Sequence, residues 1–201
     1  MENLAKIEAG LNERSYELSE SGAGMSGVAR LPVQPEPLPE VWFTLQTRYR
    51  YEKKAAAQLA SKGLEVFLPV RKENREWSDR TKIITVPLFP GYAFVRSFRS
   101  LALRLLVLQT PGVMGFVSFA GTAATVPPKQ IEDLQLLLAE NVPFSLYPFV
   151  QVGQHVRIRG GCLNGVEGLL TRREKGKLVI SIESIQRSLA IEIQGYEVEM
   201  I

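Results

Sequence analysis

The hydrophobic pattern changes character twice along the chain. In residues 1–40, Leu4, Ile7 and Leu11 fall at i, i+3 and i+7, the spacing of a short amphipathic helix. A Ser/Gly-rich stretch, 19–26, follows. Pro32, Pro35, Pro37 and Pro39 then alternate with other residues, which favours an extended linker. A mobile tail and a partner-docking helix both fit this stretch. From Val41 the pattern becomes that of a mixed domain. Runs rich in β-branched and aromatic residues predict strands over 41–47, 64–70, 83–86, 92–95 and 113–119. Residues 52–62 lack Pro and Gly and stop at Gly63, which predicts a helix. Residues 98–109 predict a second helix with Leu101, Leu105 and Leu108 on one face, ended by Pro111-Gly112. A third spans 128–140 with Ile131, Leu134 and Leu138 inward. The polar stretch 71–82 is an exposed excursion.

The order is β-α-β, a hairpin across Pro87-Leu88-Phe89-Pro90-Gly91, then α-β. That order predicts a four-stranded antiparallel α/β sandwich with helices mostly on one face. After residue 152 the period drops to two. Short strands over 155–159, 166–171, 177–182, 189–193 and 196–200 are separated by Gly160-Gly161, Asn164-Gly165, Lys175-Gly176 and Gly195. Five such strands predict a small closed β-barrel. The expected fold class is thus α+β, with a tail over 1–40, a first domain over 41–140, a linker over 141–151 and the barrel domain over 152–201. The linker's Phe144, Leu146, Tyr147 and Phe149 are apolar enough to predict partial packing.

Composition adds exclusions. Among 201 residues, 45% are hydrophobic and 22% charged, with one cysteine and one histidine. A single Cys leaves no internal disulfide framework and points to a reducing cytoplasm. A single His removes His-pair metal motifs, so neither metal nor cofactor is expected. His155 reads as a barrel-surface residue and Cys162 as an unreactive turn residue. No apolar run is long enough for a membrane helix. The net charge of +3 is uneven: residues 1–40 carry 3 basic and 7 acidic groups, 41–140 carry 14 and 8, and 151–201 carry 7 and 6. Only the middle is clearly basic, as a domain meeting nucleic acid would be. Neither βαβ unit has a Gly-rich phosphate fingerprint. No nucleophile–base or acid pair stands out, so a small-molecule enzyme is not expected.

Three stretches carry a family resemblance: Trp42-Phe43-Thr44-Leu45, the segment PLFPGYAFV at 87–95, and TPGVMGFV at 110–117. In this order they resemble the amino-terminal (NGN) domain of the NusG family of transcription elongation factors. VGQHVRI at 152–158, with Gly165 and Glu167-Gly168, resembles that family's KOW motif, an SH3-like barrel. The resemblance covers roughly residues 41–201. The end of the chain is more similar to the specialised antitermination paralogues of the RfaH and UpxY type than to the housekeeping factor.

The resemblance implies a non-catalytic mechanism and a monomer. The NGN domain docks on the β′ clamp helices of RNA polymerase, bridges towards the β gate loop, and suppresses pausing or termination. It needs an apolar pocket for a helical tip. By position the pocket residues are Phe89, Pro90 and Tyr92 on the turn, Phe116 and Phe119 beyond it, and Ile131 and Leu134 on the last helix. Phe94 and Val117 read as core. The resemblance places contact with non-template DNA in the bubble at Arg48, Tyr49, Arg50 and Tyr51, extended by Lys53 and Lys54. Cations alternate there with rings able to stack on bases. A solvated loop fits these residues equally. Arg75, Arg80 and Lys82 belong either to a solvated hairpin or to an upstream-DNA contact. The polar triad that faces the gate loop in RfaH aligns with Leu103-Arg104-Leu105. The barrel's partner would be ribosomal protein S10 or Rho, met by Leu163, Asn164 and residues 169–172. The alternatives are a general NusG-type factor linking polymerase to Rho or the ribosome, and a ribosome-associated KOW protein.

Overall fold

β1 (Val41–Thr47) organises the first sheet, because both of its edges and both of its faces are covered. One edge pairs along its length with β5 (Tyr92–Ser97), from Val41↔Ser97 to Gln46↔Tyr92. The other edge is shared. β6 (Val113–Phe116) takes the carboxyl-terminal half and the short β9 (Thr125–Val126) the amino-terminal half. β2 (Glu65–Phe67) adds outside β5, giving the order β2-β5-β1-β6 with β9 beside β1. The expected four-stranded antiparallel sheet is therefore present, with β9 completing one edge. The structure is a computed structural model and describes residues 39–77, 80–171 and 176–201. The helix expected near Leu4, Ile7 and Leu11 and the proline stretch through Pro37 lie outside the described residues. So do Arg172 and Lys175.

Side chains alternate along β1, so Trp42 and Thr44 face one side while Phe43 and Leu45 face the other. Phe43, Leu45 and Val95 pack with Leu59 of α1 (Glu52–Ser61) and with Leu103 and Val107 of α2 (Leu101–Leu108). On the opposite side Trp42 and Phe94 pack with Ile131, Leu134 and Leu137 of α3 (Pro128–Ala139). Phe67 bridges the two aromatics, edge-on to Trp42 at 6.5 Å and stacked on Phe94 at 6.1 Å.

Two sequence expectations are corrected here. The strand before Pro87 does not form a hairpin with β5. β3 (Val70–Trp77) and β4 (Arg80–Pro87) pair with each other over their full length as a separate ribbon, closed at its base by Leu88 N–H donating to the Pro69 carbonyl at 2.8 Å. Residues 88–91 join that ribbon to the sheet instead of turning β4 back onto β5. In α2, the face carrying Leu101, Leu105 and Leu108 is the exposed one, and Leu103 and Val107 are buried. Leucine occurs all round this helix, so periodicity alone does not choose a face. Ser100, whose Oγ accepts the Leu103 N–H at 3.1 Å, and the turn at Pro111-Gly112 fix its rotation.

The second sheet follows the predicted strands closely: β11 (Gln154–Arg159), β12 (Glu167–Leu170), β13 (Lys177–Ile182), β14 (Arg187–Glu192) and β15 (Glu197–Met200). Its order is β10-β14-β13-β12-β11-β15, and β10 (Phe144–Tyr147) comes from the segment expected to connect the domains. Arg157 sits opposite Glu167 on one neighbour and Glu199 on the other and pairs with both, at 2.7 and 3.5 Å. Val156, Ile158, Leu178, Ile180, Leu189 and Ile191 fill the interior. The ensemble is α+β: an antiparallel α/β sandwich followed by a small barrel. Contacts group Pro37–Ile201 into one compact unit.

The turn at 89–92 is held from below. Tyr92 N–H donates to the Phe89 carbonyl, with Pro90 and a left-handed Gly91 (φ 84°) between, the residue types a type II turn requires. Buried Glu52, at the start of α1, accepts the Gly91 N–H at 2.9 Å. Glu52→Ala is expected to destabilise the protein by about 1–3 kcal/mol, since it leaves a buried donor unpaired. Glu52→Gln, which keeps an acceptor oxygen, is expected to restore most of the loss in equilibrium denaturation.

Candidate functional site

The residues singled out on the sheet divide between its two sides. Phe89, Ile131 and Leu134 belong to one apolar cluster, with Tyr92 packed against it; Phe89 is only 2% exposed. Pro90 is exposed on the turn. Phe116 and Phe119 do not join them. Phe116 stands opposite Leu45 in register and therefore faces the other side, edge-on to Phe43 at 5.6 Å. Phe119 lies on a two-strand hairpin, β7 (Ser118–Phe119) with β8 (Thr122–Ala123), off the sheet, and is 54% exposed. The expected pocket thus reduces to the turn and α3. Phe94 is core, as read from the sequence.

That side of the sheet is covered by the barrel. The cluster holding Phe89, Ile131 and Leu134 runs without a break into Val156, Leu163, Val166, Ile185 and Leu189 of the second sheet. Polar contacts frame this apolar seam. Thr44 Oγ1 donates to Ser184 Oγ at 2.7 Å with both residues buried. Lys129 Nζ donates to the Gly165 carbonyl at 2.6 Å, and Glu167 N–H donates to Asp133 Oδ2 at 3.3 Å. Lys129 also pairs with Asp133 one helical turn on. At one edge of the seam Leu88, Phe89, Pro90 and Tyr92 face Leu146, Tyr147, Arg187 and Ser188 across a cavity of about 300 Å³. Leu163, a candidate barrel contact, is fully buried. None of these cross-domain pairs has a local sequence signal. Thr44 and Ser184 are 140 residues apart, and each alone is an ordinary polar residue within its own element.

Burial is the chief influence on Asp133. It pushes the carboxyl above its usual range, against the opposing pull of Lys129 and the Glu167 N–H.

The loop between β1 and α1 keeps its cations and rings outside. Arg48, Tyr49, Arg50 and Tyr51 are all exposed. The Arg48 guanidinium lies 5.8 Å from the Tyr51 ring centre, Arg50 lies 5.5 Å from Tyr49, and Lys54 Nζ lies 5.9 Å from Tyr51. Arg50 holds a left-handed backbone, φ 66°. Lys53 is turned elsewhere and donates to the Thr85 carbonyl of the ribbon at 2.5 Å. Gly112, not singled out from the sequence, supports the loop. Its carbonyl accepts the Arg48 N–H at 2.7 Å, and a Cβ at its position would meet Tyr51 at 2.9 Å. In the sequence it reads as a helix stop and as part of the TPGVMGFV stretch, neither of which points to this support. On the ribbon, Arg75 stands opposite Lys82 in register.

Among the described residues, no group of three or more His, Cys, Asp or Glu side chains is placed to hold a metal ion. No helix among them is long and apolar enough to cross a membrane.

Comparison with known proteins places this α/β sandwich and its following barrel among factors of the transcription termination and antitermination class. Residues 40–135 match the family described as transcription termination factor NusG. The transcription termination/antitermination protein NusG of Lactococcus lactis is 27% identical over 175 residues, covering 80% of this chain and 92% of that one. The NusG of Borreliella burgdorferi is 25% identical over 181 residues, covering 80% and 98%. A solved structure of Thermotoga maritima NusG is 22% identical, with a TM-score of 0.47, covering 81% of this chain and 98% of that one. The chain is thus similar to the NusG family over residues 40–135 and to whole NusG proteins over about four fifths of its length; that family is one of transcription factors and not of enzymes.

The Asp133 contact predicts an unusual pH response. A carboxyl whose pKa is raised on folding binds more protons folded than unfolded. Its contribution is therefore favourable at low pH and is lost as pH rises from about its ordinary value of 3.8 through its folded pKa. Asp133→Asn retains an acceptor for Glu167 N–H but does not titrate. Its stability relative to wild type is expected to improve as pH rises through that window, read from melting temperatures across a pH series.

Proposed function

We propose that the chain acts in the cytoplasm as an antitermination factor recruited to particular operons. The turn and α3 receive the β′ clamp helices of RNA polymerase, and the 48–51 loop meets non-template DNA. The observation that carries this reading is the apolar side of the sheet built from Phe89, Tyr92, Ile131 and Leu134, a shape suited to a helix tip. The barrel occupies that side, so polymerase binding requires the barrel to leave. Apparent affinity then falls by the fraction of molecules that are open. A factor held shut in this way suits recruitment at chosen sites better than constitutive binding. Leu163, one of the residues that the family resemblance assigns to the S10 or Rho contact, is buried at the same seam, near the Gly165 carbonyl that Lys129 holds. Release would uncover both surfaces together. A gate-loop contact is not included: Leu103 is buried, and neither Arg104 nor Leu105 replaces a polar hydroxyl.

A lysine at the buried seam tests the reading. Ser184→Lys places a charge against buried Thr44, and the barrel is expected to separate. Binding of a β′ clamp-helix fragment to this full-length variant is expected to be tighter than wild type by about tenfold or more, and Tyr92→Ala added to it to weaken binding by ~2 kcal/mol. Unchanged affinity in a variant whose barrel is shown by NMR to be free would sink the proposal.

The loop is tested separately. Arg48→Ala with Arg50→Ala is expected to flatten the salt dependence of binding to an elongation scaffold by roughly one unit of slope per lost phosphate contact. Clamp-helix affinity is expected to stay the same. Identical slopes would make the loop a solvated one.

A further inference from the structure

The side of the first sheet away from the barrel carries a surface that the polymerase reading leaves unused. With Leu103 and Val107 turned into the core, α2 presents Leu101, Leu105 and Leu108 to solvent at i, i+4 and i+7. Leu101 is 72% exposed and Leu105 50%. Beside them, α2 and β6 enclose an open groove of about 570 Å³ floored by Phe43 and Phe116 and walled by Leu101, Leu108 and Met114. Met114 is itself 62% exposed. A contiguous exposed apolar patch of this kind marks a contact surface.

Charge narrows the occupant. Arg99 and Arg104 line the groove, and no Asp or Glu does. Neither arginine makes an ion pair among the described residues; Arg99 lies over the Phe43 ring at 5.9 Å. A second copy of the chain would bring these arginines towards their own copies, which opposes self-association. Nucleic acid is a poor fit, because the exposed walls are aliphatic and offer no ring for a base to stack on. We infer that the α2–β6 groove docks a protein segment whose apolar anchors are flanked by carboxylates. The anchors seat between Leu101, Leu108 and Met114, and the carboxylates pair with Arg99 and Arg104. The groove lies on the opposite side of the sheet from the barrel, so it is open while the domains are closed. The inference does not rest on the polymerase reading.

Selection from a random peptide display library on the full-length protein, with counter-selection on Leu101→Glu/Leu105→Glu, tests this. Both leucines are exposed, so that variant is expected to melt as wild type does. The expected consensus has apolar positions flanked by Asp or Glu. A synthetic consensus peptide is expected to bind saturably, and at least about tenfold more weakly to Arg99→Glu/Arg104→Glu. Its Gln-for-Glu counterpart is expected to lose a similar factor. The inference is overturned by failure to select any peptide that the counter-selecting variant rejects, by a consensus without acidic positions, or by indifference to the charge reversal. Displacement of the peptide by single-stranded DNA would assign the groove to nucleic acid. A wild-type dimer dispersed by Leu105→Glu in sedimentation would assign it to a second copy. Clamp-helix binding is read on the other side of the sheet, so its failure and this one are distinguishable.

Discussion

A single apolar contact ties the molecule together: Trp42, Phe89, Phe94, Ile131 and Leu134 on one side of the first sheet share one core with Val156, Val166, Ile185 and Leu189 of the barrel. Large aliphatic and aromatic groups dominate it. Removing one of the larger ones from a core typically costs several kcal/mol. Three polar pairs cross the seam. Thr44 meets Ser184, Lys129 meets the Gly165 carbonyl, and Asp133 meets the Glu167 N–H. Matching matters because an unpaired polar group in such a place is costly. The apolar area supplies the attraction, and the pairs fix which barrel residue sits over which strand or helix.

This contact constrains any activity of the apolar side. A partner for the turn and α3 competes with the barrel for the same surface, so its affinity is coupled to the closing equilibrium. Asp133, whose carboxyl burial pushes above its usual range, sits at that seam and accepts the Glu167 N–H. The 48–51 loop lies outside the seam. Its pairing of Arg48 with Tyr51 and of Arg50 with Tyr49 leaves cations and rings at the surface whether the barrel is seated or not.

The two sides of the sheet divide the labour differently from the sequence expectation. Phe116 and Phe119 share the apolar character of Phe89 but not its location, because cross-strand register decides which side a residue faces. Leu101, Leu105 and Leu108 look like a core stripe and are exposed, because α2 is leucine-rich on every side and only its capping and the residues beneath it choose the rotation. The polar segment 71–82 is part of a regular ribbon, whose partner strand was expected to pair across Pro87–Gly91. Prolines at both ends of that segment, and a left-handed Gly91 held by Glu52, make it a joint between sheets.

Sequence by itself determined much of the local architecture. Period-two alternation and Gly-containing turns set the five strands after residue 152, because alternation with those turns has few other solutions. The run of aromatic and β-favouring residues at Val41–Thr47 already indicated a strand. PLFPGYAFV carried the turn geometry in its Pro and Gly and the family resemblance in its order. Only the tertiary structure decided what covers the second face, where the barrel sits, and which leucines of α2 remain outside. Those outcomes depend on pairs such as Thr44 with Ser184 and Asp133 with Glu167, far apart in the chain. Their residue types are unremarkable until folding brings them together and removes water from between them.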